Sequence, residues 1–154
     1  CTGIESGDQL WVSRYILERM FEKTPFYVNW HPKPIKGEWN GSGCHTNYST
    51  KSTREGTESM SGLDVIKEHM KKLEHKHNEH MKVYGSGNEL RMTGKHETSN
   101  FNSFSFGEGN RGASVRIGNE TIANKKGYYE DRRPSSNMDP YLVTGILFKT
   151  TVLE

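Results

Sequence analysis

The chain of 154 residues has the length of a single domain, and its composition is unusually polar. Leu, Ile, Val and Phe account for 28 of the 154 residues, just below the roughly 20% at which disorder becomes plausible, but a net charge of only +2 argues against disorder. No segment approaches the roughly 18–20 apolar residues of a membrane span, so we expect no membrane partner. The low apolar content predicts a chain that does not build a full core alone.

The N-terminal residues and the cysteines indicate the compartment to expect. Cys1 to Asp8 contain no initiator Met, no basic stretch and no apolar stretch, so they predict neither a signal peptide nor a natural start. Cys1 and Cys44 are too few for a disulfide framework, which favours a reducing compartment. We therefore expect a cytoplasmic protein.

The first predicted elements are a helix and a strand. Ser6 and Gln9 have the spacing of a capping box, which predicts a helix start. Apolar residues at helical spacing then continue to about Lys23. The members of this stripe are Leu10, Trp11, Tyr15, Ile16 and Met20. Pro25 ends the helix, and residues 26–30 are rich in aromatic side chains and predict a strand.

Two further helices are predicted from residue 63 onward. In the second helix, steps of three and four residues separate the positions of one stripe. These positions are Leu63, Ile66, Met70, Leu73, His77, Met81 and Tyr84. The third helix begins after Asp139, an N-cap followed by proline at the first helical position, and it continues to Thr151. The remaining chain is polar and glycine-rich, as in loops that are either disordered or functional.

Two groups of loop residues are candidates for ligand binding. Gly41 and Gly43 would let a ligand approach the backbone, and His45 could bind a metal, although a glycine-rich turn before a strand is the commoner meaning of this pattern. Guanidinium groups in loops favour carboxylate or phosphate recognition, with surface salt bridges as the alternative. The arginines concerned are Arg91, Arg111, Arg116, Arg132 and Arg133.

Histidines and phenylalanines form two weaker patterns. Lysines and acidic residues surround His69, His75 and His80, which predicts a solvated helix face rather than a zinc site, whereas His77 falls on the apolar stripe and is expected in the core. An aromatic group near the arginines has some of the content of single-strand binders, but acidic residues are interspersed, so we expect no nucleic-acid partner. This group comprises Phe101, Phe104 and Phe106.

Four collinear segments carry the most specific signal in the chain. They are PKPI (32–35) with WNGSGCHTNYSTK (39–51), RMTGKHET (91–98), NRGASVRI (110–117) and GYYEDRRPSSNMDPY (127–141). Together they closely resemble the glutamine synthetase family, in its eukaryotic-type (type II) branch. The resemblance covers essentially all of residues 1–154 and implies an α+β fold, the C-terminal portion of the catalytic domain, in which helices flank an antiparallel sheet.

The resemblance also implies roles for individual residues. The ligands of an Mg²⁺ or Mn²⁺ ion would be His45 and Glu130. The glutamate substrate would be bound by Asn40, Gly41, Arg91 and Arg116. The nucleotide would be bound by Asn47, Ser49, Arg111 and Arg116. Catalytic roles fall to Glu97, Arg111 and Arg132: Glu97 would lie on a flap that closes over glutamate and helps deprotonate ammonium, and the arginines would clamp the transferring phosphoryl group.

The implied activity is ATP-dependent formation of glutamine from glutamate and ammonium through a γ-glutamyl phosphate. The implied assembly is a homo-oligomeric ring with active sites shared between subunits. Because chains of this family are much longer, we expect this chain to lack the N-terminal β-grasp domain and the first part of the catalytic domain, and to be inactive alone. A related glutamate–amine ligase and a non-catalytic nucleotide-binding derivative of the fold remain alternatives.

Overall fold

The computed structural model describes all residues from 1 to 154 and has a mixed α+β architecture, which confirms the predicted class. Its helices are α1 (Glu5–Phe21), α2 (Lys51–Glu55), α3 (Gly62–His75), α4 (His77–Met81), α5 (Asn119–Asn124) and α6 (Pro140–Phe148). Its strands are β1 (Thr46–Tyr48), β2 (Phe106–Glu108), β3 (Val115–Ile117) and β4 (Tyr129–Asp131). A 3₁₀ turn spans Asn88–Leu90, and a π-helical turn, Lys149–Leu153, extends α6.

The four strands form one sheet in the order β1-β4-β3-β2. Strand β4 is antiparallel to both β1 and β3, as predicted, but β2 is parallel to β3, so the prediction of an antiparallel sheet is wrong at this edge. Parallel neighbours normally need a long crossover. Here each strand spans only about 10 Å, at about 3.3 Å per residue, so the loop 109–114 is long enough to return the chain to the same end of the sheet.

The sheet has one face in the core and one face toward the surface. Because side chains alternate along a strand, residues paired across neighbouring strands share a face. Val115, Ile117 and Tyr129 are completely or almost completely buried on the core face. On the other face, Glu130 lies opposite Asn47 in β1 and opposite Arg116 in β3. The sheet therefore brings polar side chains from three strands together on the surface side.

Helix α3 supplies the other side of the core. It begins at a capping box in which the Ser61 and Asp64 side chains each bond to the other's backbone N–H, and its Ile66, Met70 and Leu73 are fully buried, as predicted. The predicted single helix to Tyr84 is interrupted at Lys76. The histidines and asparagine near this point are weak helix formers, which fits a break into α3 and α4.

Helix α6 begins as the sequence predicts. The Asp139 carboxylate accepts hydrogen bonds from the backbone N–H groups of Tyr141 and Leu142, and Pro140 occupies the first turn. Val143 and Leu147 are fully buried against the core. The cap and the proline together explain why the helix starts here.

Helix α1 differs from its prediction in its start and in its packing. Ile4 is the N-cap and gives no side-chain cap, while the Ser6 hydroxyl donates to the Gly3 carbonyl, so the predicted capping box is wrong. The helix ends at Phe21. Its apolar stripe is largely solvent-exposed, with Ile16 50% and Met20 66% exposed.

The chain after α1 also differs from its prediction. Residues 26–30 form no strand, because no neighbouring strand pairs with them. The buried side of α1 carries Arg14, whose guanidinium donates to the carbonyls of Ser136 and Met138 and stacks over the rings of Trp11 and Trp30. None of the helices is both long enough and apolar enough to span a membrane.

Candidate functional site

Glu130 in β4 is the centre of a cluster of charged side chains on the surface face of the sheet. Its Oε1 lies 3.2 Å from His45 Nδ1 and 3.2 Å from Arg132 Nη1, and its Oε2 lies 2.7 Å from Arg116 Nε. The residue is 9% exposed, yet Oε2 makes no hydrogen bond of acceptable geometry despite its contact with Arg116. We call Glu130 with His45, Arg116 and Arg132 the carboxylate cluster.

Arg132 links the carboxylate cluster to two loops. Its Nε donates to the Arg111 carbonyl at 3.1 Å and its Nη2 donates to the Glu97 carbonyl at 3.0 Å. The side chains of those two residues form a looser, exposed ion pair, with Arg111 Nη1 3.7 Å from Glu97 Oε1. Arg132 therefore bonds to two segments, the predicted flap and the loop that follows β2.

The flap segment, residues 93–100, is a tight loop with an unusual backbone. Its ends are joined by a bridge between Thr93 and Asn100. His96 and Glu97 have φ values of 53° and 59°, in the left-handed region that residues other than glycine rarely adopt. Such backbone persists only where surrounding contacts enforce it, and here the Arg132 bond to the Glu97 carbonyl is one such contact.

Arg91 lies beneath the carboxylate cluster and is almost fully buried. Its Nε donates to Asn88 Oδ1, and its Nη2 donates to the carbonyls of Arg132 and Arg133. Its Nη1 makes no hydrogen bond, which leaves part of the guanidinium available to a ligand. Burial and the Arg132 charge lower the pKa of Arg91 to about 10, so the group stays cationic at neutral pH.

Two glycines leave room for these side chains. A Cβ at Gly43 would lie 2.7 Å from Arg91 Nη1 and 2.8 Å from His45 Nε2, and a Cβ at Gly41 would overlap Arg91 Cγ. Gly41 and Gly43 are therefore required by close approach to Arg91 and His45.

The donors beside Glu130 fit a divalent cation as an incomplete ligand set. Burial, followed by the charges of Arg132 and Arg91, lowers the pKa of His45, which favours the neutral imidazole that can bind a metal. The hydrogen-bond-free Oε2 of Glu130 is the second donor. No group of three or more His, Cys, Asp or Glu side chains is assembled, so the remaining ligands would be waters, phosphate oxygens or other carboxylates.

The predicted nucleotide residues lie at the edge of the cluster. Asn47 is directly opposite Glu130 across the β1–β4 pair, and Ser49 accepts a hydrogen bond from Arg54 Nη1. Both line an open cavity of about 1240 Å³ that extends between β1 and α6. Asn40 is exposed and makes no side-chain hydrogen bond.

The sequence prediction missed a second polar network on the core side of β4. Asp131, Arg133 and Tyr84 are fully buried and bonded to one another. His69 and His80 are also buried, so the prediction of a solvated face is wrong for these two, and the buried position of His77 is confirmed. The alternation of Asp131 and Arg133 with Glu130 and Arg132, at the end of β4 and in the two residues that follow it, was the available signal.

The predicted aromatic group does not form an exposed stacking surface as a whole. Phe104 packs on the Arg133 guanidinium and near His77, and Phe101 packs against the core, while Phe106 is 47% exposed. The electrostatic character of the site comes instead from four guanidinium groups and two carboxylates, an excess of positive charge that favours anionic ligands. The residues concerned are Arg91, Arg111, Arg116, Arg132, Glu97 and Glu130.

Comparison with curated proteins identifies close relatives of the chain, although no family model matches it. It is 60% identical over 151 residues to glutamine synthetase cytosolic isozyme 1-5 of Arabidopsis thaliana, which covers 98% of this chain and 42% of the relative. It is 56% identical to glutamine synthetase root isozyme 5 of Zea mays and 54% identical to the glutamine synthetase cytosolic isozyme of Pinus sylvestris, again over 98% of this chain and 41% of each relative. The chain therefore spans about two fifths of the length of these relatives.

Proposed function

We propose, because this chain belongs to the glutamine synthetase family, that it supplies part of the active site of a glutamate–ammonia ligase. The observation that carries the proposal is the carboxylate cluster, in which His45, Arg116 and Arg132 surround Glu130 within 3.2 Å. Positive charge concentrated beside one carboxylate and one imidazole suits a reaction among anions, namely glutamate, ATP and an acyl phosphate. We further propose that the chain corresponds to the C-terminal portion of the catalytic domain.

The proposed reaction has two steps. An oxygen of the glutamate γ-carboxylate attacks the terminal phosphorus of ATP, and the bond from that phosphorus to its bridging oxygen breaks, giving ADP and γ-glutamyl phosphate. The nitrogen of ammonia then attacks the γ-carbonyl carbon, the carbon–oxygen bond to phosphate breaks, and the nitrogen gives up one proton to the departing phosphate, leaving glutamine. The first step is required because a carboxylate has no adequate leaving group.

The arginines are suited to hold the phosphoryl group in both steps. Arg132 is 9% exposed and fixed by bonds to two loop carbonyls, so its charge is held in place before a ligand arrives. Such preorganised charge stabilises a transition state more than a mobile side chain does. Arg116 joins Arg132 at the cluster, and the exposed Arg111 would approach from the loop. The free Nη1 of Arg91 would bind the glutamate carboxylate.

His45 and Glu130 would hold the metal ion. When bound, Mg²⁺ or Mn²⁺ would neutralise charge on the phosphate oxygens that it contacts. Asn47 and Ser49 would contact the nucleotide from the wall of the neighbouring cavity.

The flap segment would exclude water from the acyl phosphate. Arg132 holds the Glu97 carbonyl, and the Glu97 side chain, which is exposed and lies 3.7 Å from Arg111 Nη1, would accept a proton from ammonium. The same contact would tie the position of the flap segment to the arginine proposed to hold the phosphoryl group.

Assembly and location are also proposals. We propose a homo-oligomeric ring in which neighbouring subunits complete each site, as the family resemblance implies. A cytosolic location follows the names of the Arabidopsis thaliana and Pinus sylvestris relatives.

The proposal is tested with a hybrid enzyme. In the hybrid, the matching 151 residues of the Arabidopsis thaliana relative are replaced by those of this chain. We expect glutamine formation that depends on ATP and on Mg²⁺ or Mn²⁺, with the unmodified relative as the positive control. A hybrid that folds and binds ATP without turnover would favour a non-catalytic derivative, and preference for another amine would favour a related glutamate–amine ligase. The isolated chain is expected to form no glutamine.

A further inference from the structure

The core side of β4 carries a buried ion pair with unusually complete hydrogen bonding. Asp131 Oδ1 accepts from the Arg133 backbone N–H at 3.1 Å and from Arg133 Nε at 2.9 Å, and Oδ2 accepts from Arg133 Nη2 at 2.7 Å. Both side chains are completely buried. Burying two charges is costly unless their hydrogen bonds are satisfied, so this pair demands further partners.

Tyr84 and His80 supply those partners in a fixed order. The Tyr84 hydroxyl donates its single proton to Asp131 Oδ2 at 2.7 Å, so it can only accept from His80 Nδ1, 2.6 Å away. His80 Nε2 must then accept from the Thr150 hydroxyl at 2.9 Å. The chain of bonds fixes the His80 tautomer and joins α4, the π-helical turn and β4.

These hydrogen-bonded side chains lie on the core side of β4, opposite the face that carries the carboxylate cluster. Asp131 and Arg133 are fully buried on the core side, whereas Glu130 and Arg132 belong to the carboxylate cluster on the other side. Glu130 and Asp131 belong to β4, and Arg132 and Arg133 follow it directly, so a rotation of the backbone from 130 to 133 about its axis would move all four side chains together. Locking the core-facing pair therefore fixes the direction of Glu130 and Arg132.

We propose that Tyr84 and His80 are positioning residues for Glu130 and Arg132. Neither side chain would touch the metal ion or the phosphoryl group. Both act through Asp131, which fixes how β4 is turned about its own axis. This inference rests on the proposed function, which assigns the carboxylate cluster to metal and phosphoryl binding. It adds a support that acts from the buried side of the strand.

The first test uses two buried tyrosines in the hybrid enzyme. Tyr84→Phe removes the hydroxyl bonded to Asp131, and Tyr129→Phe removes a hydroxyl that contacts only His69 Nδ1, at 3.3 Å. Both tyrosines are completely buried. We expect Tyr84→Phe to weaken Mn²⁺ binding, measured by electron paramagnetic resonance, by up to about 10-fold, the lower end of the effect of losing a direct partner of a metal ligand, because Tyr84 acts one step further away, through Asp131. Tyr129→Phe, which loses one 3.3 Å hydrogen bond, is expected to leave Mn²⁺ binding unchanged.

The second test uses a conservative replacement of His80. The amide of His80→Asn can donate a hydrogen bond near the position of Nδ1, whereas His80→Leu cannot. We expect His80→Asn to retain most Mn²⁺ affinity and kcat, and His80→Leu to lower both without raising the KM for ammonium. This comparison tests the positioning role even if the Tyr84→Phe hybrid does not fold.

Several results would overturn the inference. Equal Mn²⁺ affinities for the Tyr84→Phe and Tyr129→Phe hybrids would do so, as would equal losses in His80→Asn and His80→Leu. If the unsubstituted hybrid neither binds Mn²⁺ nor forms glutamine, the proposed function fails on its own. Positioning is then decided by amide hydrogen exchange across residues 129–132, which must be faster in Tyr84→Phe than in Tyr129→Phe.

Discussion

Glu130 and Arg116 lie directly opposite each other in neighbouring antiparallel strands, with Oε2 and Nε 2.7 Å apart. The pairing register alone places both side chains on the same face of the sheet. Oε2 is buried and makes no hydrogen bond of acceptable geometry in this contact, so the charge of Arg116 alone holds it. An oxygen that is close to positive charge but poorly bonded is well placed to exchange its partner for a metal ion.

The first prediction concerns this carboxylate. Glu130→Gln in the hybrid enzyme removes the charge and keeps the size of the side chain. We expect Mn²⁺ affinity, measured by electron paramagnetic resonance, to fall by more than about 10-fold, because even loss of a ligand's partner has an effect of this size. Glu120→Gln, on the exposed first turn of α5, is the matched control. Unchanged Mn²⁺ affinity in Glu130→Gln would remove Glu130 from the metal site.

The second prediction concerns Gly43. Its replacement by Ala would place a Cβ within 3.0 Å of both Arg91 Nη1 and His45 Nε2, so one of these side chains must move. We expect Gly43→Ala to raise the KM for glutamate and to weaken Mn²⁺ binding, at a stability cost of about 1–3 kcal/mol, as for other overpacked positions. In Gly118→Ala nothing lies within 4 Å of the new Cβ, and this control is expected to be silent. Normal kinetics in Gly43→Ala would show that the close approach has no functional role.

Much of the fold was predictable where local signals and packing agree. The second stripe and the Asp139-Pro140 start lie on helices that face the core, so apolar periodicity and capping chemistry point the same way. The first stripe has the same periodicity, but its helix buries Arg14 and exposes Ile16. Apolar periodicity therefore identifies a helix, but it does not show which face of that helix is buried by the rest of the protein. The strand predicted at residues 26–30 failed for a related reason, since a strand requires a partner that sequence does not supply.

The candidate site was predictable for a different reason. Loop arginines and a glycine-rich turn are common features, and only their collinear order connected His45 with Glu130, 85 positions later in the chain. The buried network escaped prediction because Lys and Glu surround His69 and His80 in sequence. In α3 and α4 those charged neighbours point outward, while the two histidines point inward.

The third prediction concerns the flap segment. Glu38 Oε2 lies 3.1 Å from His96 Nε2, and Oε1 lies 3.9 Å from Lys95 Nζ, so this carboxylate ties the flap to the preceding loop. Exposed pairs contribute less than about 1 kcal/mol. We therefore expect Glu38→Gln to speed amide hydrogen exchange across residues 95–98 only a few-fold, and added salt to do the same. Glu58→Gln, an exposed change remote from the flap, serves as the control. Equal amide exchange rates across residues 95–98 in the two variants would show that Glu38 does not restrain the flap segment.

The fourth prediction is a loss of stability in acid. Burial, then the Lys72 charge, lowers the pKa of His69 from 6.5 to about 4, and burial, then the Arg133 charge, lowers that of His80 from 6.5 to about 3. Below pH 6.5 the unfolded chain takes up protons that the folded chain does not, so stability falls with pH until about 3–4. The thermal midpoint of the hybrid should fall over this range.

A single substitution checks the source of this acid sensitivity. His80→Asn cannot take up a proton at this position, so the fall in midpoint between pH 6.5 and pH 4 should be shallower. His75→Asn is the matched control, since His75 is exposed at the end of α3. If His80→Asn and the unsubstituted hybrid fall in parallel, another group is responsible for the acid sensitivity.

The last prediction concerns the exposed stripe of α1. Ile16 and Met20, four residues apart on one face of α1, are 50% and 66% exposed, and exposed apolar surface of this kind favours association. We expect the isolated chain to self-associate in sedimentation velocity experiments at micromolar concentration. Ile16→Lys with Met20→Lys should shift it toward monomer, because a lysine in each position makes burial of the stripe unfavourable. Gln9→Lys adds a charge on an exposed position of the same helix and should leave association unchanged. A monomeric isolated chain that unfolds cooperatively would contradict both this prediction and the expectation, drawn from the low apolar content, that the chain does not complete its core alone.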